Sequence, residues 1–255
     1  IKAGIAPMQG LNECLAAIRG AADFAAACKN VGEIQPVDVA PRADGQPTCL
    51  NEWDAKRAVA AHGLPIPDGA ICRPGDAAAN ADDLGYPLVA KILSTEIAHK
   101  TEVGGVILDL QDAGQVAAAA ARLGQIGDTV LLERMARAPI VELLVGVRRD
   151  PQFGLALVIG AGGTLTELLD DSVSLLFPVS REDLSRAIDS LRISRMINGF
   201  RGGPAGDREA AIDAIAAVAS YAEANRDSLV ELDINPLLVL EDGAIAVDAF
   251  ISRLP

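Results

Sequence analysis

Apolar residues recur along the chain with two interleaved spacings, one typical of helices and one typical of strands. Helices are predicted over residues 11–29, between the caps Asn51 and Gly63, after Asp76, and over residues 112–126, 181–191 and 207–225. Strands are predicted over residues 66–72, 87–94, 105–110, 129–135, 140–148, 154–160, 229–240 and 244–250. Because strands alternate with helices, the pattern predicts an α/β protein built from α+β units.

A proline-rich stretch follows the first predicted helix. Residues 32–48 contain three prolines and show no hydrophobic periodicity, so we expect an extended linker there. The chain starts at Ile1 with neither a methionine nor a signal peptide, which suggests a fragment of a longer protein.

Composition narrows the class of protein. Half of the 255 residues are hydrophobic and 22% are charged, which is typical of a globular chain. The net charge of -13 argues against nucleic acid or an anionic membrane as partner. The uncharged run 151–166 is too short to span a bilayer, and the four cysteines form no C-x-x-C pair that would indicate zinc or a disulfide framework. We therefore expect a soluble, cytoplasmic protein.

Two lysines and a histidine lie close together in the sequence. Lys91 stands in the middle of the apolar strand 88–93, where a buried ammonium is costly unless it meets an anion. The loop that follows contains His99, Lys100 and the pair Gly104-Gly105, and glycines allow the backbone to approach a phosphate closely. This window predicts a phosphate site. The alternatives are an edge lysine that reaches water and a solvated loop.

A second glycine loop, residues 159–164, includes Gly162 and Gly163. It lacks the helix-opening context of a dinucleotide fingerprint and the lysine of a P-loop, so by itself it is a weak signal, and a tight turn is the alternative interpretation. Glu133 and Glu142 lie in apolar strands and could each accept a hydrogen bond from a nucleotide base or sugar. Each could equally be a surface residue.

The last predicted hairpin contains the strongest pattern. Glu231, Asp233 and Asn235 alternate with apolar residues and so share one face of a strand. A turn at Asp242-Gly243 brings Asp248 within a residue or two of Asn235. Carboxylate and amide oxygens suit Mg²⁺, which commonly shares its ligands with substrate phosphates. A half-solvated hairpin is the alternative interpretation.

Several of these segments together resemble a known family. The matching runs are residues 50–56, 85–92, 99–106, 147–154 and 231–237. In sequence and order they resemble the ATP-grasp part of NDP-forming acyl-CoA synthetases, which include ADP-forming acetate–CoA ligase, and are similar to the succinyl-CoA synthetase β subunit. The resemblance covers about residues 48–251.

The resemblance implies an ATP-grasp fold in which the nucleotide lies between two α+β subdomains, residues 48–130 and 131–255. Residues 1–47 would be the tail of a preceding ligase subdomain and the linker. The whole enzyme would interconvert a carboxylic acid, CoA and ATP with acyl-CoA, ADP and phosphate. CoA and the acid would bind to upstream domains that this chain lacks, and a homo-oligomer is compatible with the sequence.

The resemblance also assigns roles to the nucleotide-binding residues. Lys91 would contact the phosphates of ATP, Gly162 and Gly163 would lie beside the nucleotide, and Glu133 would lie near the base. Glu142 belongs to the same expected nucleotide site.

Metal binding and phosphoryl transfer are implied for a second set of residues. Asn235 and Asp248 match the Mg²⁺ positions, and His99 matches a histidine that relays a phosphoryl group. Lys100 would offset phosphate charge, and Asp233 would face the phosphohistidine.

One position departs from the family. Many ADP-forming members have an arginine where this chain has Leu175, which resembles a branch fused to acetyltransferase domains. A regulatory nucleotide-binding module derived from a ligase is therefore an alternative function. An ATP-grasp ligase that joins a carboxylate to an amine is another.

Overall fold

The computed structural model describes residues 10–29, 45–94, 103–163 and 171–255. The chain divides into two compact units, Ile1–Pro36 and Val37–Pro255. In the first unit the helix α1 (Leu11–Lys29) confirms the helical spacing, and the side chains of Leu11, Leu15, Ile18 and Phe24 are exposed. None of the helices in the described residues is long and apolar enough to cross a membrane.

The second unit contains two antiparallel sheets. Its helices are α2 (Glu52–Ala60), α3 (Ala77–Leu84), α4 (Ala113–Leu123), α5 (Arg181–Ser190), α6 (Ser194–Ile197) and α7 (Arg208–Ala224). Its strands are β1 (Thr48–Cys49), β2 (Gly69–Cys72), β3 (Leu88–Ile92), β4 (Val106–Leu110), β5 (Val130–Arg134), β6 (Val141–Asp150), β7 (Gly154–Ala161), β8 (Ser172–Leu176), β9 (Leu229–Val239), β10 (Ala244–Ala246) and β11 (Phe250–Arg253). A 3₁₀ turn, Pro74–Asp76, precedes α3.

The larger sheet has the strand order β1-β11-β9-β6-β7-β8, and β10 pairs with β9. Helices α2, α5 and α7 pack against this sheet and against one another. Leu232 and Ile234 point into the core that they form, because alternate residues of a strand face opposite sides. Glu231, Asp233 and Asn235 therefore lie on the other face of the sheet.

The smaller sheet has the order β2-β5-β3-β4, and α3 and α4 cover one of its faces. Leu88, Ala90 and Ile92 face this helical layer and are fully buried. Lys91, between them in the sequence, consequently points to the opposite face. The expected division at residues 48–130 and 131–255 remains a prediction, but the pairing of β5 with β3 extends the smaller sheet to Arg134, four residues beyond the expected boundary.

The prediction of secondary structure from the apolar spacing holds for most elements and fails at three short ones. The side chain of Asn51 caps α2, accepting a 2.9 Å hydrogen bond from the Asp54 amide. β1, α6 and β8 were absent from the apolar pattern. The single strand predicted over residues 244–250 was wrong, because it divides into β10 and β11. The Asp248 carboxylate accepts a 2.9 Å bond from the Ala249 amide at this break.

Candidate functional site

Lys91 is buried in the smaller sheet, where β3 lies between β5 and β4. Its side chain is therefore not at an edge reaching water, and that alternative is wrong: the residue is only 7% exposed. The ammonium lies 2.7 Å from Glu52 Oε1 and 3.0 Å from Glu133 Oε2, and it also donates to the Val247 carbonyl. The anions that Lys91 meets in this structure are thus protein carboxylates.

A second lysine, which the sequence reasoning missed as a functional residue, completes this arrangement. Lys56 has no exposed surface, and its Nζ lies 2.8 Å from Glu52 Oε1 and donates to Glu133 Oε1. Glu52, Lys56, Lys91 and Glu133 form what we call the ion cluster, in which two positive and two negative formal charges balance. The i,i+4 spacing of Glu52 and Lys56 on a helix with apolar neighbours was the available signal.

The ion cluster joins the two sheets. Glu52 and Lys56 come from α2, whose residues Ala55 and Val59 belong to the core of the larger sheet. Lys91 and Glu133 come from β3 and β5 of the smaller sheet. Each side contributes one lysine and one glutamate, and the ion pairs Lys91–Glu52 and Lys56–Glu133 cross between them, so the cluster connects the smaller sheet to α2 and the larger sheet.

Burial and charge act differently on the two lysines. Burial opposes the charged form of Lys91, but the carboxylates of Glu52, Glu133 and Asp248 outweigh it and raise the pKa of Lys91. Burial and the positive charge of Lys91 together lower the pKa of Lys56. Lys91 is consequently a firmly charged cation near Asp248.

Glu133 is not a surface residue. It is 1% exposed, and its two carboxylate oxygens accept from Lys56 and Lys91. The alternative interpretation of Glu133 as a surface strand residue is therefore wrong. Contact between Glu133 and a nucleotide base remains a prediction, since in this structure both oxygens face the lysines.

The polar face of β9 lies beside Asp248, as the predicted turn requires. The Val247 amide donates to the Pro236 carbonyl at 3.3 Å, and Phe250 pairs with Asp233. Residues 247–249 therefore run alongside residues 234–236, which brings Asp248 next to Asn235. Burial, followed by the charges of Glu231 and Asp248, raises the pKa of Asp233 to about 6.

The donor set at this hairpin fits Mg²⁺ shared with a ligand. Asn235 and Asp248 offer one amide oxygen and one carboxylate, and Mg²⁺ in phosphate sites commonly uses one or two carboxylates with phosphate and water. Among the described residues no group of three or more His, Cys, Asp or Glu side chains is placed to hold a metal alone. The chemistry of the donors thus suits a metal that arrives with phosphate oxygens.

Glu142, Gly162 and Gly163 meet where β6 begins and β7 ends. The Gly162 amide donates to the Glu142 carbonyl at 2.7 Å. Gly163 has φ +71, which favours glycine, and the Glu142 carboxylate would have to move to make room for a Cβ there. These residues line a cleft of about 540 Å³ with Pro139, Ile140, Val141, Ala161, Asp171, Arg192, Ile193 and Met196. Its volume is in the range of small-molecule sites.

Residues 42–252 match the ATP-grasp domain family. The chain belongs to this family. The ATP-grasp chain is 33% identical over 219 residues to subunit beta of acetate–CoA ligase [ADP-forming] I from Pyrococcus furiosus, covering 82% of this chain and 92% of the relative.

Two solved structures of the dinucleotide-forming acetyl-coenzyme A synthetase 1 of Ca. Korarchaeum cryptofilum share the ATP-grasp fold. One, in complex with coenzyme A, Ca-AMPCP and HgCl⁺, has a TM-score of 0.76 at 29% identity and covers 82% of this chain and 94% of that chain. The other contains coenzyme A and Mg-AMPPCP, with the phosphohistidine segment pointing towards the nucleotide binding site. Its TM-score is 0.72 at 31% identity, with 82% and 93% covered.

Leu175, the departure from the family pattern, lies on the core side of this ATP-grasp sheet. It pairs with Leu157, a fully buried core residue, and packs against the same core. The opposite face carries Asp233 and Asn235. The leucine side chain therefore does not face the predicted metal and phosphoryl-transfer residues.

Two predicted site residues, His99 and Lys100, lie outside the described residues. The described part of the ATP-grasp domain contains the other predicted phosphate and metal residues, Lys91, Asp233, Asn235 and Asp248. The Val247–Asp248 segment lies between Lys91 and the polar face of β9. Val247 accepts from Lys91, while Asp248 lies beside the polar face of β9. Glu142, Gly162 and Gly163 form a separate group at the cleft.

Proposed function

We propose that this chain is the ATP-binding and phosphoryl-transferring part of an ADP-forming acyl-CoA synthetase. The complete enzyme interconverts a carboxylic acid, CoA and ATP with acyl-CoA, ADP and phosphate. The family match and the similarity to a ligase subunit beta support this function. The observation that carries it is the charged Lys91 beside the Val247–Asp248 segment, with the oxygen donors of β9 adjacent.

Nucleotide binding rests on electrostatic complementarity. The Lys91 ammonium binds the phosphates of ATP, because a charge-assisted hydrogen bond to phosphate is stronger than one between neutral groups. Asn235 and Asp248 would hold Mg²⁺, and the metal would supply charge neutralisation at the phosphates. Glu142, with Gly162 and Gly163, borders the cleft that receives the nucleoside part. Catalysis by these groups consists mainly of positioning and charge neutralisation.

Phosphoryl transfer uses His99 as the carrier, as the family resemblance implies. An imidazole nitrogen attacks the γ-phosphorus of ATP, the N–P bond forms, and the bond to the β,γ-bridging oxygen breaks as ADP leaves. Lys100 offsets the charge of the transferred group. Asp233, whose pKa of about 6 lies well above that of an ordinary aspartate, accepts a hydrogen bond from the phosphohistidine when ionised.

The thioester-forming steps need further parts. CoA and the carboxylic acid bind to a companion ligase subunit or domain, which passes the phosphoryl group between an acyl phosphate and His99. The similarity to a subunit beta supports such a partner.

Labelling tests the phosphoryl-carrier role directly. The chain is incubated with Mg²⁺ and γ-labelled ATP, with and without a companion ligase subunit, and examined for acid-labile, base-stable label. We expect label on the wild-type chain and none on His99→Asn. Label that persists in the variant would refute the role of His99. An ADP-release assay with the companion subunit present then tests the complete reaction: sustained release, beyond the one equivalent that accompanies phosphorylation of His99, that does not depend on acid and CoA would favour a different ATP-grasp function.

A further inference from the structure

The two lysines of the ion cluster differ in access but share their partners. Lys56 has no exposed surface, whereas Lys91 retains 7% exposure next to the Val247–Asp248 segment. Glu52 Oε1 accepts from both ammonium groups, at 2.8 Å from Lys56 and 2.7 Å from Lys91. Glu133 gives one oxygen to each lysine. Only Lys91 is therefore placed to reach a ligand, yet its ammonium is already bound by carboxylates.

This arrangement creates an electrostatic problem for phosphate binding. Lys91 must weaken its bonds to Glu52 and Glu133 when it turns towards a phosphate. If it were the only lysine of the ion cluster, its departure would leave the cluster with two buried negative charges and no positive one, which is strongly unfavourable. Those carboxylates would also repel the incoming phosphate. Lys56 reduces this cost, since it stays bonded to both carboxylates and leaves the cluster with one net negative charge instead of two.

We infer that Lys56 is a positioning residue whose buried ammonium offsets half of the negative charge of Glu52 and Glu133, so that Lys91 can exchange these carboxylates for a nucleotide phosphate. The inference rests on the proposed binding of ATP phosphates by Lys91. It assigns Lys56 no contact with the nucleotide. Its effect reaches the ligand through two carboxylates and the second lysine.

The direction of the Lys56 pKa agrees with this role. Burial and the charge of Lys91 lower the pKa of Lys56. The charged form of Lys56 is therefore less favoured while Lys91 is bonded to the same carboxylates. A phosphate that draws Lys91 away weakens this repulsion. Nucleotide binding and the charged form of Lys56 therefore favour each other.

The test is a set of charge variants measured by calorimetry with Mg-ATP. Lys56→Met removes the ammonium at similar side-chain length and leaves two carboxylates for one lysine. We expect its ATP affinity to fall by about tenfold or more. Lys56→Met/Glu52→Gln removes a further charge, restores the formal neutrality of the ion cluster and leaves the predicted nucleotide residue Glu133 unchanged. We expect its affinity to return to within about threefold of the wild-type value.

Arg57→Met is the matched control. Arg57 is the next residue of the same helix, is exposed, and lies over the Trp53 ring. Its replacement removes the same formal charge on the solvent side of α2. We expect unchanged ATP affinity. A loss equal to that of Lys56→Met would show that net charge, and not the ion cluster, is responsible.

Charge rescue separates positioning from a purely structural role. If Lys56 only fills space or supports the fold, the double variant will bind ATP no better than Lys56→Met, and the inference is overturned. Affinity of Lys56→Met within about twofold of wild type also overturns it. If Lys56→Met does not fold, Lys56→Gln replaces it, because the amide still donates hydrogen bonds but carries no charge.

Different results would contradict the proposed function. If the wild-type chain does not bind Mg-ATP, or if Lys91→Met binds it unchanged, the phosphate site lies elsewhere and the proposed role of Lys91 falls. If Lys91→Met binds weakly while Lys56→Met binds normally, only the inference about Lys56 falls.

Discussion

Replacement of Lys91 by methionine should affect both stability and ATP binding. The ammonium contacts Glu52, Glu133 and the Val247 carbonyl in a buried setting. Removing one partner of a buried ion pair typically destabilises by about 3–5 kcal/mol. Lys56 still neutralises one carboxylate, so we expect the free energy of unfolding to fall by about 3 kcal/mol, near the lower end.

Two measurements check these effects of Lys91→Met. Urea unfolding gives the change in unfolding free energy, and the midpoint of thermal unfolding should fall by roughly 6–12 °C for a unit of this size. Calorimetry should show ATP affinity reduced by about tenfold or more, the effect of one lost charge-assisted hydrogen bond. The double variant Lys91→Met/Glu52→Gln, which restores the formal neutrality of the ion cluster, should recover stability but not ATP affinity.

The outcomes that refute this reasoning are distinct. A loss of stability below about 1 kcal/mol would show that the carboxylates are not held as charged partners of Lys91. Recovery of ATP affinity together with stability in the double variant would show that Lys91 supports the fold and does not bind phosphate. Unchanged affinity in the single variant would place the phosphates elsewhere.

Three further predictions concern the hairpin and the glycine loop. In Asp248→Ala, thermal stabilisation by ATP should be lost because the metal is no longer shared, and equal stabilisation of the wild type with excess chelator would contradict this. The pKa of Asp233 is about 6 in the folded state and 3.8 for an ordinary aspartate, so the folded state binds protons more tightly than the unfolded state. The metal-free protein should therefore lose stability as pH rises from about 4 to above 6. Asp233→Asn should remove that loss in pH-dependent unfolding curves; identical curves would refute it. Gly163→Ala should lower stability, because φ +71 is strained for alanine and the added Cβ meets Glu142; an unchanged melting temperature would contradict this.

The last hairpin shows what the sequence can predict. The alternation of polar and apolar residues in β9 assigned Asp233 and Asn235 to one face, and the turn at Asp242-Gly243 determined the register that brings Asp248 alongside. Both inferences depend on neighbouring residues and on a strand period of two. Neither inference predicts the break between β10 and β11, because this break involves a hydrogen bond from the Ala249 amide to the Asp248 side chain.

The ion cluster shows the opposite case. The cost of burying Lys91 predicted an anion, but Glu52 precedes it by 39 residues and Glu133 follows it in a neighbouring strand. Ion pairing between residues so far apart in the sequence depends on how α2 packs between the sheets. The spacing of apolar and polar residues within one segment does not encode that packing. Lys56 was overlooked because a lysine four residues after a glutamate is ordinary on an exposed helix face.

Stability alone does not account for four buried charges. Apolar side chains of similar volume often make a protein as stable as a buried ion pair does, because desolvation offsets most of the attraction. In the ion cluster, Lys91 retains a little exposure and Lys56 has none, and both lysines are bonded to the same carboxylates. Two separate lysine–glutamate pairs would balance the same charges, but here each lysine pairs with both glutamates. The sharing instead allows the outer lysine to leave at low electrostatic cost, which is what a phosphate-binding cation between two sheets requires.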